Sequence, residues 1–224
     1  MFGSSRTWAR ATLAVLAVLL LFKSFVASHM FVCSDSMFPS LFDGDLVTVN
    51  KLAYELRYPF TSKALLRWAR PQRGDIVVFS SPDLTPDLTK RVVGTPGDTV
   101  RVVRNRLVIN GTPVIYGPVN PDVIHYVPGY IWRFGLISSE ALAGQGHPMI
   151  IFPIINTEMN FGPITIPPRH YFVMGDNRDF SEDSRRFGLV KQERIIGKVE
   201  NIIASIDILS PCRPRWGRFF KGIT

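Results

Sequence analysis

Hydrophobic and polar positions fall into two regimes along the chain. From Ala11 to Phe22 the run "ATLAVLAVLLLF" is apolar without a break; Arg6 and Arg10 precede it, and Lys23 interrupts it before "SFVASHMFVC" continues mostly apolar. Taken over residues 7–27 the segment reaches about 20 residues, enough to span a bilayer. Lys23 can snorkel its ammonium to the headgroups, and Trp8 suits the opposite interface. A cleavable leader is the rival reading, with its positive start, short apolar core and the small residues of "VAS". The resumption of apolar sequence beyond Lys23 favours a retained anchor. The arginines at the start keep residues 1–6 on the cytoplasmic side and place everything after the anchor outside. No later segment is long and uncharged enough to span: "MIIFPII" is too short, and "IIGKVENIIASIDIL" carries charges.

Past Ser40 the period becomes that of strands. "DLVTVNKL" alternates, with Val47 and Val49 on one side, and "GDIVVF" is apolar on both faces, as a buried strand is. "DTVRVVRNRLVINGTPV" holds two strands around Arg104–Asn105, and Asn110–Gly111 is a strong hairpin signal. "HYFVMGD" is a strand running into a loop, and "IIGKVENIIASIDI" supplies one or two closing strands. Helix signals are few: "SKALLRWA" behind a Ser62 cap, and "SEALA" near Ser139. Residues 118–168, rich in Pro, Gly, Asn and aromatics, read as an inserted lobe of short strands and loops. The expected fold is therefore mainly β. An anchor over 7–27 leads into a first part of the exported domain at 28–117, the lobe at 118–168, a second part at 169–210 and a basic aromatic tail at 211–224.

Composition changes this picture little. With 224 residues, 46% of them hydrophobic, the chain can build one good-sized domain. Its two cysteines, Cys33 and Cys212, make no disulfide framework, though a bridge between them is open. Neither stands in a metal-ligand spacing, and no metal or cofactor is expected. The net charge of +8 fits a protein near anionic lipid. No recognition-helix pattern or basic-aromatic stripe supports a nucleic-acid partner.

Three segments could carry chemistry. "SDSMFPS" puts serines directly beyond the apolar run. In "LTKRVVGTPGD", strand alternation sets Lys90 on one face with Leu88 and Val92 while Thr89, Arg91 and Val93 face the other way. If that face is buried, desolvation lowers the lysine pKa; a fall from about 10.4 to about 8 costs roughly 3 kcal/mol. "TPGD" then reverses the strand as a type II turn with Pro96 and Gly97 at its centre. "GDNRDFSEDSRRFG" fails as a calcium loop, because Arg178 occupies the third ligand position counted from Asp176. Its mixed charges suggest a self-paired network.

In this order, and after one membrane anchor, the three segments resemble the type I signal peptidases (leader peptidases). "SDSMFPS" is similar to the family's Ser-x-Ser-Met-x-Pro segment, "RGDIVVF" to its following strand, "KRVVGTPGD" to its lysine segment and "GDNRDFSEDSRRFG" to its late loop. The resemblance implies a signal-peptidase-like antiparallel β-sheet domain working as a Ser–Lys dyad protease on secretory precursors. In that reading Ser36 is the nucleophile and a neutral Lys90 the general base. Ser34 supplies a hydroxyl to the oxyanion hole beside the Ser36 N–H, and Ser181 hydrogen-bonds and orients the Lys90 amine. Arg91, Asp176, Asp183 and Arg185 form structural ion pairs. Pro86, Asp87, Leu88 and Thr89 line one side of the substrate, with Met30, Val32, Met37 and Leu41 in shallow pockets that accept alanine-sized side chains. The enzyme sits in the bacterial cytoplasmic membrane as a single-pass protein facing outward, where the scissile bond of a membrane-tethered precursor lies. Cys33 and Asp35 stand where the family usually has Pro and Gly; Asp35 would raise the Lys90 pKa if it pointed inward, so it is expected to point to solvent.

Three alternatives remain at this level. A Ser–His–Asp hydrolase could draw on His29, His125, His147 or His170, although no GxSxG surrounds Ser36. A Ser–Lys protease of narrower task, of the pilin or conjugation type, is a second. A membrane-anchored β-domain that binds extended peptides without cleaving them is a third. The tail "CRPRWGRFFKG" either lies on anionic lipid or frays.

Overall fold

A computed structural model describes residues 7–15, 26–58, 61, 63–81, 87–129, 131–155, 160–208 and 213–223. In chain order its strands are β1 (Ala27–Phe31), β2 (Asp45–Asn50), β3 (Glu55–Arg57), β4 (Ala64–Arg67), β5 (Ile76–Phe79), β6 (Leu88–Gly94), β7 (Thr99–Val103), β8 (Arg106–Ile109) and β9 (Thr112–Pro113). They continue with β10 (Tyr116–Gly117), β11 (Leu136–Leu142), β12 (Gln145–Ile151), β13 (Phe161–Thr165), β14 (His170–Met174), β15 (Val190–Lys191), β16 (Ile195–Asp207), β17 (Arg213–Pro214) and β18 (Lys221–Gly222).

The largest sheet runs β1-β2-β16-β5-β6-β14-β15, with β17 and β18 also paired to β16. It curls strongly. β1 and β6 are separated by β2, β16 and β5, yet Thr89 Oγ1 on β6 lies 4.0 Å from Met30 Sδ on β1. The alternation that marked β2 is realised with Val47 and Val49 buried. β5 is buried on both faces because it separates two cores. Ile76 and Val78 pack with Met37, Leu41, Val47 and Val49, while Val77 and Phe79 pack with Val92, Tyr171 and Val173 on the other side.

A second sheet, β13-β7-β8-β9, covers one end of the first, and β10-β11-β12 form a third. Its turns follow the sequence signals. Arg104 and Asn105 take φ of 50° and 61° between β7 and β8, and Asn110 and Gly111 take 52° and 79° between β8 and β9, the pairs of positive φ that tight hairpins require.

Both expected helices are strands. "SKALLRWA" contains β4, antiparallel to β3 with Leu56 opposite Leu66, and Ser62 lies outside the described residues. Glu55 fixes this ribbon by accepting from Arg57 Nε at 2.6 Å and Arg67 Nε at 2.7 Å, a cross-strand arrangement no helix offers. "SEALA" lies in β11, because Ala143 and Gly144, at φ 51° and 81°, turn the chain back into β12. Apart from residues 7–15, the helices among the described residues are single turns, such as Pro121–Ile124, where Asn120 Oδ1 accepts from Asp122 N at 2.9 Å.

Residues 7–15 are helical, but the middle of the expected anchor, 16–25, lies outside the described residues, and Ala27 already belongs to β1. Among the described residues no helix is long and apolar enough to cross a membrane. Over its described residues, 213–223, the tail is docked. β18 pairs with β16, and Arg218, buried, meets Asp45 Oδ2 at 2.6 Å and lies 4.1 Å above the Phe42 ring.

Candidate active site

The segment after β1 tightens into a 3-10 turn at Asp35–Met37. Ser34 caps it, its Oγ accepting from Ser36 N at 3.2 Å. Met37 is buried in the core under the sheet, so the turn is pinned from below and Ser36 stands at the boundary. Lys90 arrives on β6, opposite Val77 of β5, with Leu88 and Val92 of its own face in the neighbouring core.

The two side chains meet: Lys90 Nζ lies 2.7 Å from Ser36 Oγ. Lys90 is only 3% exposed and Ser36 9%. Burial lowers the Lys90 pKa to about 8, against the opposing pull of Asp183, Asp176 and Glu182. Asp35 is exposed and takes no part in this balance; partial burial and the nearby Asp43 raise its own pKa. Cys33 carries a free, exposed thiol, and Cys212 lies outside the described residues.

The loop from Gly175 to Gly188 closes over the turn. Asn177 N donates to the Ser36 carbonyl at 3.1 Å, and its Nδ2 to the Asp35 carbonyl at 3.1 Å. Buried guanidiniums set the loop's shape. Arg91 donates to Asp176 through Nε at 3.0 Å and Nη2 at 2.9 Å, and reaches Ser40 Oγ at 3.1 Å. Arg185 donates to Asp183 through Nε at 2.8 Å and Nη2 at 2.7 Å, while Asp183 Oδ2 accepts from Gly175 N at 3.1 Å. Burial alone would raise the Asp176 pKa, but Arg91 and then His147 hold it below the ordinary carboxylate value.

Residues outside the expected set underlie this loop. Glu140 of β11, fully buried, pairs with Arg178, whose Nη1 lies 2.7 Å from Oε1, and accepts from Tyr116 Oη at 2.5 Å. His147 of β12 has Nε2 3.4 Å from Glu140 Oε2 and 3.5 Å from Asp176 Oδ1, and burial lowers its pKa to about 4. It is buried beside the loop, and the side chain bonded to Ser36 Oγ is the lysine. The alternation and spacing of the sequence carry no sign of Glu140, because its partner lies 38 residues away.

Two expected contacts are not made. Ser181 Oγ is buried without a hydrogen-bond partner and does not bond Lys90. It is packed against Gly175, where a Cβ would lie 2.2 Å from it. The Ser34 hydroxyl and the Ser36 N–H face each other, so neither is free to hold an oxyanion until Ser34 rotates. Val32, Met37 and Leu41 belong to the core rather than to open pockets, and Met30 packs partly buried against them. Leu88 and Thr89 are half-buried, Asp87 is exposed, and Pro86 lies outside the described residues. β14 pairs with β6 only from Arg91 onward, so among the described strands none covers the outer edge of Leu88–Lys90. No group of three His, Cys, Asp or Glu residues among the described residues could hold a metal.

The close approach at Gly175 yields a sharp expectation. A Cβ there would meet Ser181 Oγ at 2.2 Å and the Ser36 carbonyl at 2.4 Å. Gly175→Ala therefore displaces the loop from the turn, and kcat/KM on a peptide substrate should fall by about 100-fold, the scale of a 1 Å misplacement.

Residues 5–204 match the family model described as "Signal peptidase, peptidase S26". The chain is 36% identical over 199 residues to "Signal peptidase I" of Pseudomonas fluorescens, covering 82% of this chain and 67% of the relative. It is 37% identical over 203 residues to "Signal peptidase I" of Pseudomonas aeruginosa, with the same coverage of each. To "Signal peptidase I P" of Bacillus subtilis subsp. natto it is 30% identical over 201 residues, covering 89% of both.

Proposed function

The chain belongs to the type I signal peptidase family, peptidase S26, and on that premise we propose that Ser36 and Lys90 are its catalytic dyad. The observation that carries the reading is the 2.7 Å contact between a buried amine and a serine hydroxyl. With Lys90 neutral, Nζ accepts the hydroxyl proton as Ser36 Oγ bonds to the scissile carbonyl carbon. Negative charge moves to the carbonyl oxygen, where the Ser36 N–H and the rotated Ser34 hydroxyl receive it. The Lys90 ammonium then returns its proton to the leaving amine, the peptide C–N bond breaks and an acyl-enzyme remains. Water, giving a proton to Lys90, attacks the ester; the proton passes to Ser36 Oγ as the carboxylic acid leaves and ionises into solvent.

The precursor enters as a strand. Its extended end pairs along the open edge of Leu88–Lys90 and faces β1, where the partly buried Met30 lies beside Thr89. Ser181, its Oγ buried without a partner, turns toward the amine when substrate binds. Arg91–Asp176 and Asp183–Arg185 hold the frame. In this reading an anchor within residues 7–25, ending before β1, holds the chain with residues 1–6 cytoplasmic and the catalytic part on the periplasmic side, where secretory precursors emerge.

The test compares the full-length protein with Ser36→Ala, in detergent, on a precursor whose signal ends in Ala-x-Ala. The unaltered chain should cleave after the second small residue, with kcat/KM rising through pH 8, since at pH 7 only about a tenth of Lys90 is neutral. Cleavage retained in Ser36→Ala would sink the assignment, and a peptide that binds without being cut would make the domain a binding module.

A further inference from the structure

The β3–β4 ribbon has no role in the chemistry above, yet it exposes large apolar side chains that a soluble surface does not gather. Leu65 and Leu66, adjacent on β4, are 53% and 60% exposed, and Trp68 and Tyr58 each 51%. Neighbours on a strand point to opposite faces, so the ribbon is greasy on both. Exposed Lys63 and Arg70 flank it without an ion pair among the described residues. Beside it lies a groove of about 720 Å³ lined in part by Arg67, Trp68, Arg70 and Arg169. Apolar residues bordered by cations form the pattern that settles into the headgroup region of an anionic bilayer.

Position favours lipid over a protein partner. Ala27, the first residue of β1, lies opposite Asn50, and the Val26 carbonyl accepts from Lys51 N at 3.0 Å. The Leu52 carbonyl, on the next residue, accepts from Trp68 Nε1 at 3.0 Å. The indole thus stands beside the point where the chain leaves 7–25. If that segment is the membrane anchor, the ribbon is at the lipid surface by connectivity alone.

We propose that the β3–β4 ribbon is an interfacial foot, seating Leu65, Leu66 and Trp68 at the acyl boundary of the outer leaflet with Lys63 and Arg70 against anionic headgroups. The proposal rests on the anchored-protease reading given above. A foot here, together with the anchor, fixes the height of Ser36 over the membrane.

The experiment uses the full-length chain with Trp68 as its one tryptophan (Trp8→Phe, Trp132→Phe, Trp216→Phe), reconstituted in vesicles of phosphatidylglycerol and phosphatidylcholine brominated near the start of the acyl chain. Trp68 emission should fall by about half relative to unbrominated vesicles, and less in phosphatidylcholine alone, since the cations add to the binding. Inorganic phosphate without vesicles should leave it unchanged. Cleavage of a peptide and resistance to alkaline carbonate extraction are read on the same sample. Unquenched Trp68 in a protein that cleaves and resists extraction overturns the foot alone, and an accessible ribbon then points to a protein partner. Release by carbonate overturns the anchor and the foot together, whatever becomes of the dyad. Should the tryptophan replacements abolish cleavage, Leu66→Cys labelled with bimane in a Cys33→Ser, Cys212→Ser chain gives the same reading, with the same quenching expected and the same absence of quenching decisive.

Discussion

Lys90→Met is expected to abolish cleavage, with kcat/KM down by about 10⁴-fold, the upper range for loss of a general base, and at the same time to make the protein more stable at neutral pH. The second effect follows from the burial that makes the first possible. The amine's native pKa of about 8 lies below its ordinary 10.5. Between these values the unfolded chain holds a proton that the native one has released, so stability rises with pH across that window and lacks this gain below pH 8. Holding a protonated Lys90 at pH 7 therefore costs on the order of 3 kcal/mol. Methionine fills a similar volume without a charge. In urea titrations the variant should unfold at higher denaturant at pH 7, with the difference vanishing above pH 10.5. Equal stability of the two proteins at pH 7 would mean that the amine is solvated.

Asp176→Asn should have the opposite signature, a large loss of stability. Arg91 and Asp176 are each 2% exposed or less, and the carboxylate takes both the Nε and Nη2 of the guanidinium. Removing one charge leaves the other buried and uncompensated, a cost of about 3–5 kcal/mol. The exposed pair Arg186–Glu182, by contrast, belongs to the class worth about 0–1 kcal/mol. Because the native Asp176 pKa is depressed, its stabilisation is complete above the ordinary 3.8 and is lost only as pH falls through the lower native value. Thermal melts of Asp176→Asn at pH 7 should show the deficit, and a melt unchanged from the original protein would show that the pair contributes nothing net. Activity should fall too, since Arg91 follows Lys90 on β6 and also holds Ser40 of the nucleophile segment.

The parts of the fold that could be read from sequence are those set by local pattern. Alternation marked β2, two-sided apolarity marked β5, and Asn110–Gly111 marked its hairpin, because each is decided within a few residues. Alternation also gave Lys90 its apolar company, and its depressed pKa is the physical result. The failures lie where long-range pairing overrides local preference. "SKALLRWA" and "SEALA" are acceptable helices by composition, but Glu55 and the Ala143–Gly144 turn commit them to strands. Glu140 was invisible for the same reason: its worth depends on Arg178, which the fold alone brings near. Family resemblance named Ser34 and Ser181 but said nothing of their rotamers, and in the structure one caps its own turn while the other bonds nothing. Within the tail, Arg218 meets Asp45 and the Ser40 carbonyl, a long-range pairing that the tail's basic, aromatic composition does not reveal.

Burial lets Lys90 release its proton near pH 8 rather than near the ordinary 10.5, and the most direct measurement is its own titration. In protein carrying ¹³C at the lysine ε-carbon, the Lys90 signal, assigned as the one missing from Lys90→Met, should titrate with a midpoint near 8. A midpoint near the ordinary 10.5, in folded and active protein, would contradict the account.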